Sequence, residues 1–231
     1  MSKRKLPPPP EGHVLVHSEA YGDHYRKKRK EKPKLSDDMK NSSTNMKDAN
    51  LYAKAVKDAL DPFRKKIEDG KLWNRLVSLF KKQLKKEGRV NLQALEQFQC
   101  HSKFPLTRFM HRQLTAVVSE ESKTLQVKVT TYGDIKTKWE KAEEYRQILI
   151  VVFYNADLDA DFESKTVYFP LGNEKRNNQQ ESFPIPGKAI IALVALRCDF
   201  WKDGQVGGSG RKALEILRVM DLRGDGSGSA N

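Results

Sequence analysis

The chain has 231 residues, of which 38% are hydrophobic and 32% are charged, and its formal net charge is +13. This length allows one or two domains, and the high charged share indicates a compact body with a substantial solvated part. The two cysteines, Cys100 and Cys198, are too few for a disulfide framework and indicate free, buried thiols. We find no secretory signal and no apolar run near the ~20 residues of a membrane helix. We therefore expect no membrane contact, and a cytoplasmic location or one within an assembled particle.

The excess of positive over negative charge is confined to the first 120 residues. Residues 1–50 carry 12 Lys/Arg against 7 Asp/Glu, residues 51–120 carry 15 against 7, and residues 121–231 carry 16 of each. A field of one sign attracts polyanions such as nucleic acid, or an acidic protein surface. The charge distribution therefore places partner binding in the first half of the chain.

Residues 1–50 are predicted to form an extended basic arm. They begin with a polyproline run, Pro7–Pro10, and continue with polar sequence. Five consecutive cations are the candidate polyanion- or partner-binding residues of the arm: Arg26, Lys27, Lys28, Arg29 and Lys30. Such a segment cannot bury enough surface to offset its ordering entropy by itself. We expect a protein partner, or a second copy of the chain, to order it.

Residues 51–112 are predicted to form a helical basic segment. Its strongest part has apolar residues at helical spacing, ending at Gly88: Leu72, Trp73, Leu76, Leu79, Phe80 and Leu84. Lysines cover the remaining face, and four of them complete the set of candidate binding residues: Lys81, Lys82, Lys85 and Lys86.

From residue 113 the hydrophobic period changes to two, which predicts a β-rich body over residues 113–223 and a flexible tail over 224–231. Ala189–Phe200 opens with eight apolar residues before Arg197, and Ile148–Tyr154 is apolar throughout, which is typical of buried strands. They lie in the candidate strands Lys188–Phe200 and Gln147–Tyr154, which we expect to pair or to face each other across a core. The other candidate strands are Leu114–Val118, Leu125–Thr131, Thr166–Leu171 and Leu214–Met220. Six short strands joined by turn sequences favour an antiparallel Ig-like β-sandwich, so the expected fold class is α+β.

The order of these parts resembles a group of uncharacterised Bacteroidota proteins, some linked to mobile elements. The resemblance covers the arm sequence Tyr21-Gly22-Asp23-His24-Tyr25-Arg26, the helix, and late strands containing Ile190–Leu196 and Cys198-Asp199-Phe200-Trp201. It implies the sandwich fold, and it implies a place in a phage or mobile-element assembly.

Three short motifs do not meet the requirements of the sites that they suggest. The loop Gly204–Ala213 is similar to a phosphate-binding loop, but Arg211 follows Gly210 where that motif has lysine. Asp157–Glu163 alternates carboxylates, yet Phe162 stands where a calcium loop has glycine. Cys100, His101 and His111 lack the spacing of a zinc site. We therefore predict no catalytic site, no metal and no cofactor.

The favoured hypothesis is a non-catalytic structural or interaction protein that docks through its basic arm. The alternative is a nucleic-acid-binding protein that uses the basic half, with exposed aromatic side chains stacking on bases. The aromatic residues that lie near the cations are Tyr21, Tyr25, Trp73, Phe104 and Phe109. An enzyme with an unrecognised site is the third hypothesis, and it requires titratable groups that converge on a deep pocket.

Overall fold

The structure is a computed structural model in which the chain divides into two compact units, residues 1–42 and residues 43–231. The described residues are 7–17, 22–28, 36–64, 67, 70–132, 142–171, 176–202, 205–206 and 212–223. The tail at 224–231, and most of the glycine-rich loop near residue 208, lie outside these ranges.

The first unit contains a two-stranded antiparallel hairpin. Strand β1 spans His13–Val16 and strand β2 spans His24–Lys27, with Leu15 opposite Tyr25. The Tyr25 hydroxyl donates a hydrogen bond to the carbonyl of Pro7. An isolated hairpin of this size is only marginally stable in water.

Helix α1 spans Asp37–Ala59, so it begins fourteen residues before the predicted helical segment. The prediction of an extended chain over residues 37–50 is therefore wrong. Ser36 caps the helix, because its Oγ accepts a hydrogen bond from the Met39 N–H at 3.2 Å. The acidic side chains of Asp37 and Asp38 lie in the first turn, where the helix dipole favours negative charge. Residues 37–48 are mostly polar, so their sequence did not indicate a helix. The buried residues of α1 lie in its second half, from Ala49 onward.

Two more helices follow α1 in the second unit, a short one and a longer one. Helix α2 spans Asp61–Arg64, and helix α3 spans Leu72–Glu87. Two 3-10 turns follow, Leu92–Leu95 and Leu106–Arg108, on either side of the two-residue strand β3, Phe98–Gln99.

Over the described part of the chain, eight further strands and β3 form two antiparallel sheets. Their bounds are β4 His111–Ser119, β5 Thr124–Tyr132, β6 Glu144–Tyr154, β7 Ala160–Pro170, β8 Arg176–Pro184, β9 Ile191–Lys202, β10 Gln205–Val206 and β11 Lys212–Asp221. The larger sheet has the order β3-β11-β9-β6-β7, with β10 paired to β9, and the smaller sheet has the order β4-β5-β8. All six predicted strands are confirmed, with their ends displaced by a few residues.

The two long apolar runs are neighbours in the larger sheet, as expected. Strand β6 pairs with β9 antiparallel along its whole length, and Ile150 lies opposite Ala195. Alternate residues of β6 enter two different cores. Ile150 packs toward the helices, whereas Val151 packs toward the smaller sheet. Because both faces are buried, these strands are continuously apolar.

The helices form a third layer on the larger sheet. Ala53 and Val56 of α1 and Phe80 of α3 share one core with Ile150 and Leu193 of the sheet. The helical segment and the β-sandwich are therefore parts of one packed body. The sequence analysis predicted two separate segments because the period of the apolar pattern changes between them. In the structure, the apolar residues of both segments pack against each other.

Strand β8 was not predicted because most of its inward side chains are polar. Asn177 and Gln179 are buried but not apolar, and Phe183 is the one buried apolar residue of the strand, so hydrophobic alternation is lost. Its pairing with β5 is a backbone ladder in which Val127 lies opposite Glu181. Backbone pairing of this kind leaves little trace in the sequence of one strand.

Removing the hydroxyl from each of two buried tyrosines of β6 should change the free energy of unfolding in opposite directions. The hydroxyl of Tyr154 is buried without a hydrogen-bond partner, whereas that of Tyr145 accepts from Asn177 Nδ2 at 2.5 Å. An unsatisfied buried polar group costs about 1–3 kcal/mol. Tyr154→Phe should therefore raise the free energy of unfolding by about 1 kcal/mol, and Tyr145→Phe should lower it by about 1–3 kcal/mol. Urea titrations followed by circular dichroism measure both, and equal effects of the same sign would contradict the assignment.

The same Tyr154 hydroxyl predicts a pH dependence. Burial raises the pKa of Tyr154 above its usual range, so the folded protein keeps the proton when the unfolded chain has lost it. The stabilisation is complete below the unfolded pKa of about 10 and is lost as the pH rises further. Unfolding free energies measured from pH 8 to 11 should fall less steeply in Tyr154→Phe than in the wild type.

Candidate functional site

Helix α3 has one buried face and one cationic face. Its apolar stripe is buried against the sheet, and Phe80 is completely buried. The lysines lie on the opposite side and are all exposed: Lys71, Lys81, Lys82, Lys85 and Lys86. Gly88 ends the helix with φ of 70°, and its N–H donates to the Leu84 carbonyl at 3.1 Å. We call the surface formed by residues 81, 82, 85 and 86 the lysine face.

Contacts to neighbouring segments hold α3 in place. Arg75 donates to the carbonyls of Gln99 and Cys100 at 2.7 and 2.9 Å, and its guanidinium lies over the Phe98 ring. Gln83 and Asn91 exchange hydrogen bonds of 3.0 and 3.3 Å. Arg75 is therefore a structural cation, and the lysine face belongs to a helix that is anchored at several points.

The lysine face carries uncompensated positive charge. Within the described ranges, none of its four lysines forms an ion pair or a side-chain hydrogen bond. Lys85 and Lys86 lie in the last turn, where the helix dipole favours cations. The nearest acidic residue along the helix is Glu87, at its end. A cluster of solvated ammonium groups of this kind attracts acidic surfaces and phosphates.

The arm supplies the second predicted group of cations. Arg26, Lys27 and Lys28 are exposed in the first unit, at the end of β2 and just beyond it. Arg29 and Lys30 lie outside the described residues.

One cation and several aromatic residues of the basic half serve the fold. Arg64 is buried, pairs with Asp61 and donates to the Lys57 carbonyl. Trp73 packs on the helix-side core, and Phe109 is buried against Phe200. Tyr21 lies outside the described residues. The expected stacking on bases is therefore wrong for Phe109, since a buried ring cannot meet a base.

A buried ionic network was not predicted. Asp199 of β9 is completely buried and accepts from Arg146 Nη2 at 2.5 Å and from Arg197 Nη2 at 2.8 Å. Arg197 also donates to the Phe63 carbonyl at 2.7 Å, which joins the helical layer to the sheet. Burial is the largest single influence and lowers the pKa of Arg146, but the hydrogen bonds and charge interactions with Asp199 and Tyr168 together outweigh it, so the pKa of Arg146 is raised. The spacing of Arg197 and Asp199 on one strand face is the only sequence signal.

The motifs considered for metals do not converge. Within the described ranges, no three His, Cys, Asp or Glu side chains are placed to hold a metal ion. In the turn before β7, the Asn155 Oδ1 accepts from the N–H groups of Asp157 and Asp159 at 2.9 and 3.0 Å. Cys100 and Cys198 form no disulfide and are buried, as expected, and burial raises the pKa of the Cys198 thiol.

A polar cleft of about 400 Å³ lies where the α3 loop meets the ends of the larger sheet. Arg89, Asn91 and Asn155 contribute polar groups, and Arg223 is paired with Asp221. A hydrogen bond from Arg223 lowers the pKa of Asp221. The sequence analysis missed this cleft because its residues come from distant parts of the chain.

Neither a protein-family model nor a curated protein matches this sequence. Two solved structures are similar in part. CsgH of R. palustris aligns with a TM-score of 0.26 and 11% identity, over 47% of this chain and 92% of that one. The sporulation control protein Spo0M of Bacillus subtilis aligns with a TM-score of 0.25 and 14% identity, over 46% of this chain and 47% of that one. These TM-scores are too low to assign a fold, which is therefore defined by the strand order of this chain alone.

Among the described helices, none combines the length and the apolar content needed to cross a lipid bilayer.

Proposed function

We propose that this protein is a non-catalytic docking protein that binds an acidic partner through the lysine face and the basic arm. The observation that supports the proposal most directly is the lysine face itself. Four exposed lysines lie on one side of a helix whose opposite side is buried in the core. A rigid, charged surface of this kind gives long-range attraction and a defined orientation without a pocket.

The hairpin supports the same proposal for the arm. It exposes Val14 and Leu15, at 40% and 38% of their surfaces, beside the cations of β2. A two-stranded hairpin is marginal alone, so burial of these side chains on a partner would stabilise it. We propose that the partner is a protein or a second copy of the chain, in the cytoplasm or in a phage or mobile-element assembly.

We also propose that the sandwich is Ig-like. The smaller sheet has the order β4-β5-β8, which corresponds to strands A, B and E of that fold. The core of the larger sheet, β11-β9-β6-β7, corresponds to G, F, C and C′. In this scheme the helical layer is an addition that covers the outer face of the G-F-C-C′ sheet.

Neutralising the lysine face should abolish binding to acidic probes. The variant replaces four lysines by glutamine: Lys81→Gln, Lys82→Gln, Lys85→Gln and Lys86→Gln. Fluorescence anisotropy with labelled polyglutamate should show a large loss of affinity at low salt. The dependence of log affinity on log salt should fall by about one for each lysine that contacts an anionic group.

The control removes the same charge from exposed positions elsewhere: Lys103→Gln, Lys123→Gln, Lys128→Gln and Lys188→Gln. It should keep most of the affinity, because a local surface and not the net charge does the binding. Equal losses in both variants would show that only the net charge matters, and this result would remove the lysine face from the proposal.

Nucleic acid is a second candidate partner, favoured by the same cluster of unpaired ammonium groups. A labelled single-stranded oligonucleotide of matched charge distinguishes the two. A nucleic-acid-binding protein should bind the oligonucleotide more tightly than polyglutamate, and its affinity should fall by about 10²-fold between 50 and 200 mM salt for four phosphate contacts. Binding that does not change with salt would exclude this candidate.

A further inference from the structure

Within the described ranges, no strand pairs with the outer side of β7, which is therefore an open edge of the larger sheet. It pairs with β6 on one side, and it ends the strand order of that sheet. Most of its eleven residues are exposed, including Phe162 and Tyr168 at 47% and 50% of their surfaces. A long exposed edge is a template for pairing with another strand, and proteins usually shorten, cover or bend such edges. The register of β7 with β6 continues without a bulge from Ala160 to Pro170.

The hydrogen bonds at both ends of β7 show which backbone groups are unpaired. Before the strand, Asn155 N–H donates to the Asp159 carbonyl at 3.1 Å, and beyond it Leu171 N–H donates to the Glu143 carbonyl at 2.8 Å. In an antiparallel ladder, alternate residues direct both backbone groups toward the same neighbour. The odd-numbered residues of β7 therefore face β6. The even-numbered residues direct N–H and C=O groups to the open side: Phe162, Ser164, Thr166 and Tyr168.

The charges of β7 are complementary to those of a second copy in one register. If two β7 strands pair antiparallel about Ser164, Glu163 of each copy lies opposite Lys165 of the other. This pair would be of the non-hydrogen-bonded kind, in which side chains approach most closely. A pairing about Glu163 or about Lys165 would instead place two like charges opposite each other on the axis.

We propose that β7 is a self-association edge, and that two copies of the chain pair through it antiparallel about Ser164. The contact is isologous, with the same surface contributed by each copy. It joins the two larger sheets into one continuous sheet and places two Glu163–Lys165 ion pairs across the contact. The lysine face lies on a different element, so this inference does not rest on the proposed docking function.

Charge reversal tests the register in the full-length chain by sedimentation equilibrium. Glu163→Lys and Lys165→Glu each place like charges at both symmetric positions and should weaken self-association by about tenfold or more. A one-to-one mixture of the two variants should associate again, because every opposed pair in the mixed dimer is then of opposite sign. The double variant, with both changes in one chain, should also dimerise like the wild type. Lys128→Glu on the smaller sheet is the control and should leave self-association unchanged.

Thr166→Pro tests the backbone part of the contact, because it removes an N–H group that β6 does not use. It should abolish self-association and leave the melting temperature within a few degrees of the wild type. A wild-type chain that stays monomeric at millimolar concentration would overturn the proposal. Self-association that survives Glu163→Lys and Lys165→Glu, or a mixture of the two that stays monomeric, would overturn the register. Because the mixture restores association, misfolding of the single variants cannot imitate the expected result.

Discussion

Replacing Asp199 by alanine should lower the free energy of unfolding by about 3–5 kcal/mol, because it leaves buried cations without their counter-charge. The Asp199 carboxylate is completely buried and joins Arg146 to Arg197, whose side chains are only 19% and 12% exposed. Arg197 would keep its hydrogen bond to Phe63 but lose its charge partner. Urea titration of the full-length protein, followed by circular dichroism, measures the change.

The matched control is Asp221→Ala, which removes an aspartate–arginine pair at the surface. Asp221 pairs with Arg223, and both side chains are well exposed, at 44% and 62%. Exposed pairs of this kind contribute about 0–1 kcal/mol. If Asp199→Ala cost no more than Asp221→Ala, the network would be dispensable for joining the helical layer to the sheet.

Removal of helix α1 should destroy cooperative folding of the second unit, whereas removal of the first unit should not. A chain that begins at Asp61 lacks Ala49, Ala53, Val56, Ala59 and Leu60, which are buried in the helix-side core. Burial of one valine or leucine contributes roughly 1.5–3 kcal/mol, and the uncovered sheet face adds to the loss. Whole domains are stable by only about 5–15 kcal/mol, so the remaining sheet should not unfold cooperatively.

A chain that begins at Ser43 is the control for this truncation. It keeps all the residues of both cores, so its melting temperature should stay within about 2 °C of the full-length value. Such a shift corresponds to a change of less than about 1 kcal/mol in the free energy of unfolding. Differential scanning calorimetry compares the three chains. A cooperative transition in the chain from Asp61 would show that the sandwich folds without its helical layer, and would restore the separate domains expected from the sequence.

Local patterns were enough to predict six of the strands and the amphipathic helix α3. The runs around Ile150 and Val194 are apolar because both of their faces are buried, and their β-branched residues favour a central strand over a buried helix. The stripe of α3 at a period of 3.6 predicts both its buried face and its lysine face. Each of these features depends on residues close together in the sequence, which is why the sequence was sufficient for them.

The tertiary structure alone decided how these parts combine. It placed the helices on the sheet, so that Val56 and Ile150 share a core although they are distant in sequence. It recruited the polar strand β8 through backbone pairing, and it brought Arg146 to Asp199 across neighbouring strands. Hydrogen bonds and burial between distant segments depend on which segments pack together in the tertiary structure. The local spacing of residue types does not specify that packing.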